Sequence, residues 1–373
     1  MKKLSLSLFM LCCAIVACST SGGDKPFEPY LQIHPESLTF DAKGGVAEVQ
    51  VIANFEYEIT PNVDWLSVEK GEQFWVKITA NPSKVTEKRS GKIVVKSKRD
   101  DTSKVLSVAQ EAYVPPINTD GWAEMPTKVE RANLEYGYHD KLPSNKKLRN
   151  YSFCFDKEKH CALWVAYPLH KCYTEGSGHR TDDWGYDPCC VDDNYEPNLK
   201  NAYYPQGGSS YSHSRGHQLP SADRLASDDD NATTFYYTNM TPQLQSLNGG
   251  TWEDLESDIR KKWMCSDTLY VVTGAHFSPG YGYAYDNKGA GKACAVPTHY
   301  YKVILRTKKG NSGKWVGDCS ASEIQCVGFW FEHAAKAPRQ TMSVAEIEKK
   351  TGQTFFPNVK NAPKSTYNPS DWQ

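Results

Sequence analysis

Between residues 28 and 113, apolar side chains fall at every second position over short stretches. Val49 and Val51, and then Phe74, Val76 and Ile78, alternate with polar neighbours, the period of strands with one buried face. Runs of this kind include Ser37-Leu38-Thr39-Phe40, Val46 to Ala53, Phe74 to Ala80 and Lys92 to Ser97, with Gly44-Gly45 and Asn81-Pro82 supplying turns. About eight such strands without a helical window predict an all-β sandwich over residues 28–113.

The pattern then changes. Tyr113-Val114-Pro115-Pro116-Ile117-Asn118 carries two prolines, which stiffen the chain and cannot join a β-ladder, so 114–119 reads as a linker. Residues 120–373 mix strands with a few helices and predict an α+β domain. Strand-like runs are Cys161 to Ala166, Thr268 to Val272, His299 to Leu305 and Cys326 to Phe331. One helix is predicted from Asn248 to about Met264, with Trp252, Leu255, Ile259 and Trp263 as its apolar stripe. Another opens with the capping box Ser343-x-x-Glu346 and ends at Gly352.

A chain of 373 residues has room for two such domains. Its formal net charge of −1 excludes a nucleic-acid binder working through a bulk basic field. Any action on polynucleotides must come from a local basic site and a metal. Lys2 and Lys3 precede an apolar run, Leu4 to Val16, too short to span a bilayer. Ile15-Val16-Ala17-Cys18 resembles a bacterial lipobox, which makes 1–17 a signal peptide, Cys18 a lipidated N-terminus and 18–27 a flexible tether. The expectation is an exported lipoprotein anchored at the outer membrane or cell surface. Nine further cysteines lie between Cys154 and Cys326. In an exported domain they predict disulfides, a Cys154–Cys161 bridge across a hairpin among them. There is no C-x-x-C pair, which argues against a zinc ribbon.

The chemistry concentrates in one stretch. Ser214-Arg215-Gly216-His217 and Pro220-Ser221-Ala222-Asp223-Arg224 are followed by Asn239-Met240-Thr241-Pro242-Gln243, Asn248, Gly250, Trp252 and Glu256. Hydrolysing a phosphodiester needs an activated water and neutralised non-bridging oxygens. His217 is the candidate general base, because imidazole titrates near working pH. Gly216 beside it is expected to let a substrate approach. Asn248 offers a carbonyl oxygen to a hard cation such as Mg²⁺, with Glu256 holding one of its waters. Arg260, one helical turn beyond Glu256, is a planar fork for phosphate.

Arg215-Gly216-His217, Asn239 to Gln243, Asn248-x-Gly250-x-Trp252 and Leu255-Glu256 resemble the DNA/RNA non-specific endonuclease family, the ββα-metal nucleases. Trp164-Val165-Ala166-Tyr167, Arg180 with Trp184 and Asp187-Pro188, Val272-Thr273-Gly274 and Phe355-Phe356-Pro357 extend the likeness over about 150–360. The resemblance implies His217 as base and Asn248 as the direct protein ligand of one Mg²⁺, with Mn²⁺ as a substitute. It implies Glu256 behind a metal-held water, Arg260 and Arg180 as phosphate contacts, and Arg215 and Asn239 in support. It further implies DNA and RNA as substrates, little sequence preference and 5′-phosphate products. Ser214 stands where the family usually has Asp. The 28–113 segment resembles the BACON domain, a sandwich of immunoglobulin type. The likeness rests on Ser37 to Phe40, the Gly-Gly turn, Asp64-Trp65-Leu66-Ser67-Val68, Arg89-Ser90-Gly91 and Val108 to Ala112. That resemblance implies glycan binding, against a plainer role as spacer.

Plainer readings exist for each residue alone. His217 could be an ordinary loop histidine, Glu256 and Arg260 a surface ion pair, Trp65 and Trp75 core residues, and Asp228-Asp229-Asp230 a solvated loop. His213 and His217 are four apart, but Gly216 and two serines argue against a zinc-binding helix. The rival for the whole chain is a non-catalytic surface lipoprotein that binds carbohydrate or polyanions.

Overall fold

The computed structural model describes residues 27–85, 87–113, 118–288 and 290–373. The expected signal peptide, the expected lipidation site Cys18, the expected tether up to residue 26 and residues 114–117 of the expected linker lie outside the described residues. No helix among those described is long and apolar enough to cross a membrane. The chain divides into two compact units, Met1–Pro116 and Ile117–Gln373.

In the first unit the period-two pattern becomes eight strands: β1 (Leu31–His34), β2 (Ser37–Phe40), β3 (Gly45–Ala53), β4 (Tyr57–Pro61), β5 (Leu66–Lys70), β6 (Trp75–Ala80), β7 (Arg89–Ser97) and β8 (Ser103–Gln110). They form two four-stranded sheets, ordered β1-β3-β6-β5 and β2-β8-β7-β4. One core joins them, with Val49, Val51, Val76 and Ile78 from one sheet and Ile93, Val95, Leu106 and Val108 from the other. Trp65 is buried in that core, with the Arg89 guanidinium 4.5 Å from its ring centroid. Trp75, in contrast, is partly exposed.

The second unit is built on a seven-stranded antiparallel sheet. Its strands are β9 (Leu134–His139), β10 (Tyr151–Asp156), β11 (Cys161–Leu169), β14 (Leu269–His276), β17 (His299–Thr307), β18 (Ile324–Glu332) and β19 (Gln340–Met342), in the order β19-β18-β17-β14-β11-β10-β9. Both faces are covered, which is why its central strands read as continuous apolar runs. One core takes Phe153, Val165, Val271, Ile304 and Phe329 from the sheet and packs Trp252, Leu255, Ile259 and Trp263 against them. The other takes Trp164, Val272, Val303 and Trp330 and packs Val344, Ile347, Phe355 and Phe356. A two-stranded ladder, β12 (Ser214–His217) with β13 (Met240–Gln243), and a short pair, β15 (Tyr283–Tyr285) with β16 (Ala293–Ala295), complete the strands.

Two helices matter for the site and its frame: α1 (Glu253–Asp258) and α2 (Val344–Thr351). The Ser343 capping box forms on both sides, and Gly352 closes α2 at φ 70°, the left-handed position that glycine takes without steric cost. The helix expected from Asn248 to Met264 is not one regular rod. It begins as a turn at Gln245–Leu247 and widens over Asn248–Trp252, where Gly249 and Gly250 leave helical geometry. It then continues as α1 and a second wide turn, Ile259–Trp263. The apolar stripe is nonetheless wholly buried.

Two further expectations are corrected. Asp228-Asp229-Asp230 is not a solvated loop but the first turn of a short helix, Asp228–Ala232, whose N-cap Ser227 accepts from the Asp230 amide. Three acids there suit the positive helix end, and the buried Asp230 carboxylate binds the Ser144 amide at 2.8 Å. The nine cysteines from Cys154 to Cys326 are free thiols. The register sets Cys154 opposite Trp164 and Cys161 opposite Asp156, so the two are not cross-strand partners.

Candidate active site

His217 ends β12, and the ladder places it opposite Met240. It is therefore a strand residue and not a loop histidine. Trp184 and Phe235 meet its ring edge-to-face at centroid distances of 5.5 and 5.1 Å, so its rotation is restricted. Its Nε2 is enclosed and has no hydrogen-bond partner. Burial, reinforced by the charges of Arg180 and Arg215, lowers its pKa to about 3, so the imidazole is neutral but is a weaker base than the near-neutral titration expected from sequence. Gly216 has a role other than the one expected. A Cβ there would come within 2.4 Å of Gln243 Oε1, so the glycine permits β12 and β13 to pack.

A cavity of about 500 Å³ brings the distant pieces together. Arg180, Arg215, His217, Asn248, Glu256 and Arg260 all line it. Asn248 arrives at the start of the widened turn, after β13 and the short Gln245–Leu247 turn, so the order is strand, strand, helix. Glu256, one turn into α1, faces the same space, as does Glu253. An amide oxygen and two carboxylates form a hard-oxygen donor set, beside an unpartnered imidazole nitrogen. That set fits a hard divalent cation which keeps several waters. A His/Asp/Cys grouping among the described residues, His139 with Asp187 and Cys189, does not line this cavity. It is a partly buried hydrogen-bonded pair, His139 Nε2 to Asp187 Oδ2 at 3.0 Å, beside a thiol.

The charges are paired differently from the spacing. Glu256 and Arg260 do not bind each other. Arg260 donates to Asp223 Oδ1 at 2.9 Å, and Glu256 Oε1 lies 3.6 Å from Lys302 Nζ on β17. Burial raises the Glu256 pKa to about 7, opposed by Lys302 and Arg260. Lys302 and Asp223 carry no role that the sequence pattern alone reveals. The Asp223 signal was its place in the Pro220 to Arg224 stretch. For Lys302, a lone lysine in an apolar strand is the available sign.

Arg215 lines the cavity and also ties neighbouring backbone, whereas Asn239 acts from behind. Arg215 donates to the carbonyls of Leu199 and Lys200 at 3.1 and 2.8 Å and covers Trp184 at 3.5 Å. Asn239 does not line the cavity. It is fully buried, accepts from the Leu219 amide at 2.8 Å and donates to the Leu219 and Thr234 carbonyls. It thus braces the chain just after His217. Arg180 is half exposed and paired with Asp182 at 2.9 Å. Ser214 donates to Gln245 Oε1 at 2.5 Å, a contact to the turn that carries Asn248.

Residues 132–362 match the family described as DNA/RNA non-specific endonuclease. The chain belongs to that family. Its C-terminal unit is a nuclease domain, a hydrolase of phosphodiester bonds. Residues 55–111 match the BACON family, described as an N-terminal binding domain. Similar proteins include the nuclease of Serratia marcescens, 34% identical over 197 residues, 51% of this chain and 66% of that one. The nuclease of Nostoc sp. is 30% identical over 211 residues, 56% of this chain and 72% of that one. The mitochondrial nuclease EXOG of Xenopus laevis is 28% identical over 236 residues, 60% of this chain and 62% of that protein's length.

Proposed function

We propose that the protein is an exported, lipid-anchored endonuclease that needs Mg²⁺ or Mn²⁺. It hydrolyses DNA and RNA with little sequence preference, and its immunoglobulin-like sandwich serves as a spacer or glycan contact. The observation that carries the catalytic part is the convergence of His217, Asn248, Glu256 and Arg260 on one cavity. Asn248 would hold the cation directly, with Glu256 and Glu253 receiving its water ligands. When bound, the cation supplies Lewis-acid charge to the phosphate and the leaving oxygen. The neutral His217 imidazole, which lines the cavity, takes the proton of the attacking water. Trp184 and Phe235 hold the ring in place while it does so. Arg260, oriented by Asp223, and Arg180 bind non-bridging oxygens as planar forks. These are backbone contacts, and backbone contacts carry no base information.

The test is nicking of supercoiled plasmid by the purified mature chain, with and without divalent cation. Cation-dependent nicking that ends in 5′-phosphates supports the reading. Tight binding of polyanion or glycan without cleavage supports the non-catalytic rival instead.

A further inference from the structure

Beside the cavity that holds His217 lies a second, of about 430 Å³, and the two share Arg180, Arg215, Gln245 and Asn248. Their chemistry differs. The first includes Glu253 and Glu256, whereas no carboxylate appears among the residues lining the second, which adds Lys200, Trp184 and Tyr211. Arg180 is paired with Asp182 at its edge, but Arg215 and Lys200 are not paired with a carboxylate among the described residues, so the wall is net positive and suits a polyanion, and it continues directly from the place where a phosphate would be cut.

The two aromatic rings are not equivalent. The face of Trp184 is covered by the Arg215 guanidinium at 3.5 Å. Tyr211 is 62% exposed and rests on Tyr204 at a centroid distance of 4.9 Å. Tyr204 is itself buried, and its backbone exchanges two 2.8 Å hydrogen bonds with Tyr285. The exposed ring therefore sits on a fixed base. Lys200 is equally placed by the frame, because Arg215 grips the Leu199 and Lys200 carbonyls. The other end of this loop is tied by the Ser212 amide to the Tyr203 carbonyl at 2.7 Å.

We infer that the second cavity is a subsite for the nucleotide next to the cut phosphate, with Lys200 on its phosphate and its unpaired base stacked on Tyr211. The inference rests on the nuclease reading and names a substrate class within it. A base can lie on Tyr211 only after leaving its own stack, so the subsite favours single strands and easily distorted duplexes over rigid ones. Arg215 is then a positioning residue, setting the loop that carries Lys200.

The test uses the full mature chain in EDTA, so that nothing is cut. Fluorescence anisotropy measures binding of a labelled single-stranded 12-mer and of a blunt duplex of the same length. Tyr211→Ala should weaken single-strand binding by about tenfold or more, the range for losing one stacked base, and duplex binding by less than about threefold. Tyr211→Phe should bind like the wild type, which separates stacking from any fault in folding. Lys200→Ala should reduce the salt dependence by about one phosphate contact. Equal losses on both substrates, or no loss with Tyr211→Ala, would overturn the subsite. Plasmid nicking by the wild type is measured in parallel. Nicking with no Tyr211 effect removes the subsite alone, whereas discrimination by Tyr211 without any nicking removes the nuclease reading, and with it the placement beside a cut phosphate, and leaves only a single-strand-binding groove.

Discussion

Lys302 Nζ stands 3.6 Å from Glu256 Oε1, and the lysine has no exposed surface. The same ammonium donates to Thr273 Oγ1 at 2.7 Å and to the Gln218 carbonyl at 3.3 Å, and lies 4.7 Å from the Trp252 ring centroid. Burial by itself drives the carboxyl pKa up and the ammonium pKa down, and each charge opposes the other's shift. Removing one partner of a buried pair strands the other, at a cost of about 3–5 kcal/mol. Lys302→Met should therefore lower the melting temperature clearly and abolish most cleavage. The double variant with Glu256→Gln should regain much of the stability but none of the activity. A single Lys302→Met variant as stable as wild type, measured by thermal denaturation, would show that the pair is not held in its charged form.

His217→Ala should lower turnover by roughly 10²–10⁴-fold, the contribution of a general base. Activity within about tenfold of wild type, in a variant shown by circular dichroism to be folded, would remove His217 from the mechanism. A stability effect accompanies this. The folded pKa of about 3 lies below the ordinary value of 6.5, so the unfolded chain binds the proton first as pH falls. His217 therefore costs stability progressively between about pH 6.5 and pH 3. A His217→Gln variant should lose less stability on acidification across that window, as read from urea midpoints.

The parts that sequence makes legible are those decided by neighbours along the chain. Ser343, Glu346 and Gly352 define α2 because capping is local, and the stripe from Trp252 to Trp263 finds its core even though the helix around it is irregular. The order of Arg215-Gly216-His217, Asn248 and Glu256 likewise points to one site, because the ladder and helix that present them follow in sequence. Pairing across the fold is another matter. Glu256 and Arg260 have the spacing of an ion pair, yet each has a nearer opposite charge supplied by a distant segment, Lys302 from β17 and Asp223 from the stretch after His217. A lysine inside a strand reads as solvent-facing, and only the covering of both sheet faces puts it inside. β12 and β13 escape the alternation rule because glycine, proline and polar side chains make up most of their few residues.

Glu196 gives a pH test outside the cavity. It is fully buried and accepts from the Asp187 amide at 2.9 Å, with no cation paired to it among the described residues. Burial, with repulsion from Asp187 and Asp193, raises its pKa to about 9. A raised folded pKa means that the folded chain keeps a proton the unfolded chain has lost above about 4.5. The stabilisation present at low pH is thus lost as pH rises from about 4.5 toward 9. Glu196→Gln keeps an oxygen for the Asp187 amide without that proton. It should melt higher than wild type near pH 9 and show a flatter dependence on pH. Parallel curves for the two proteins from pH 5 to 9 would show that Glu196 does not titrate as described.

The oxygen donors around Asn248 make a second kind of removal informative. A cation held by one side chain, with water and substrate filling the remaining positions, is weakly bound and bears little of the fold. EDTA should abolish cleavage while leaving the melting temperature within about a degree, unlike a structural zinc site, whose loss unfolds its domain. Asn248→Ala should require much more Mg²⁺ for half-maximal rate. Undiminished cleavage in excess chelator would rule out the metal reading.

The two units should also differ in what they contribute. The sandwich core is drawn from Leu31 to Val108 alone, and both cores of the larger sheet come from residues after Ile117. Each unit thus has the apolar interior that independent folding needs. All the residues assigned to phosphate chemistry, from Arg180 to Arg260, lie in the second. Residues 117–373 expressed alone should melt as a single cooperative unit and cleave a short duplex at a rate within about twofold of the mature chain. The sandwich would then matter for where cleavage occurs and not for how fast, through the reach it gives from an anchored Cys18 or through glycan attachment. A truncated protein that stays folded but loses most of its turnover on short duplexes would show instead that the sandwich takes part in the chemistry.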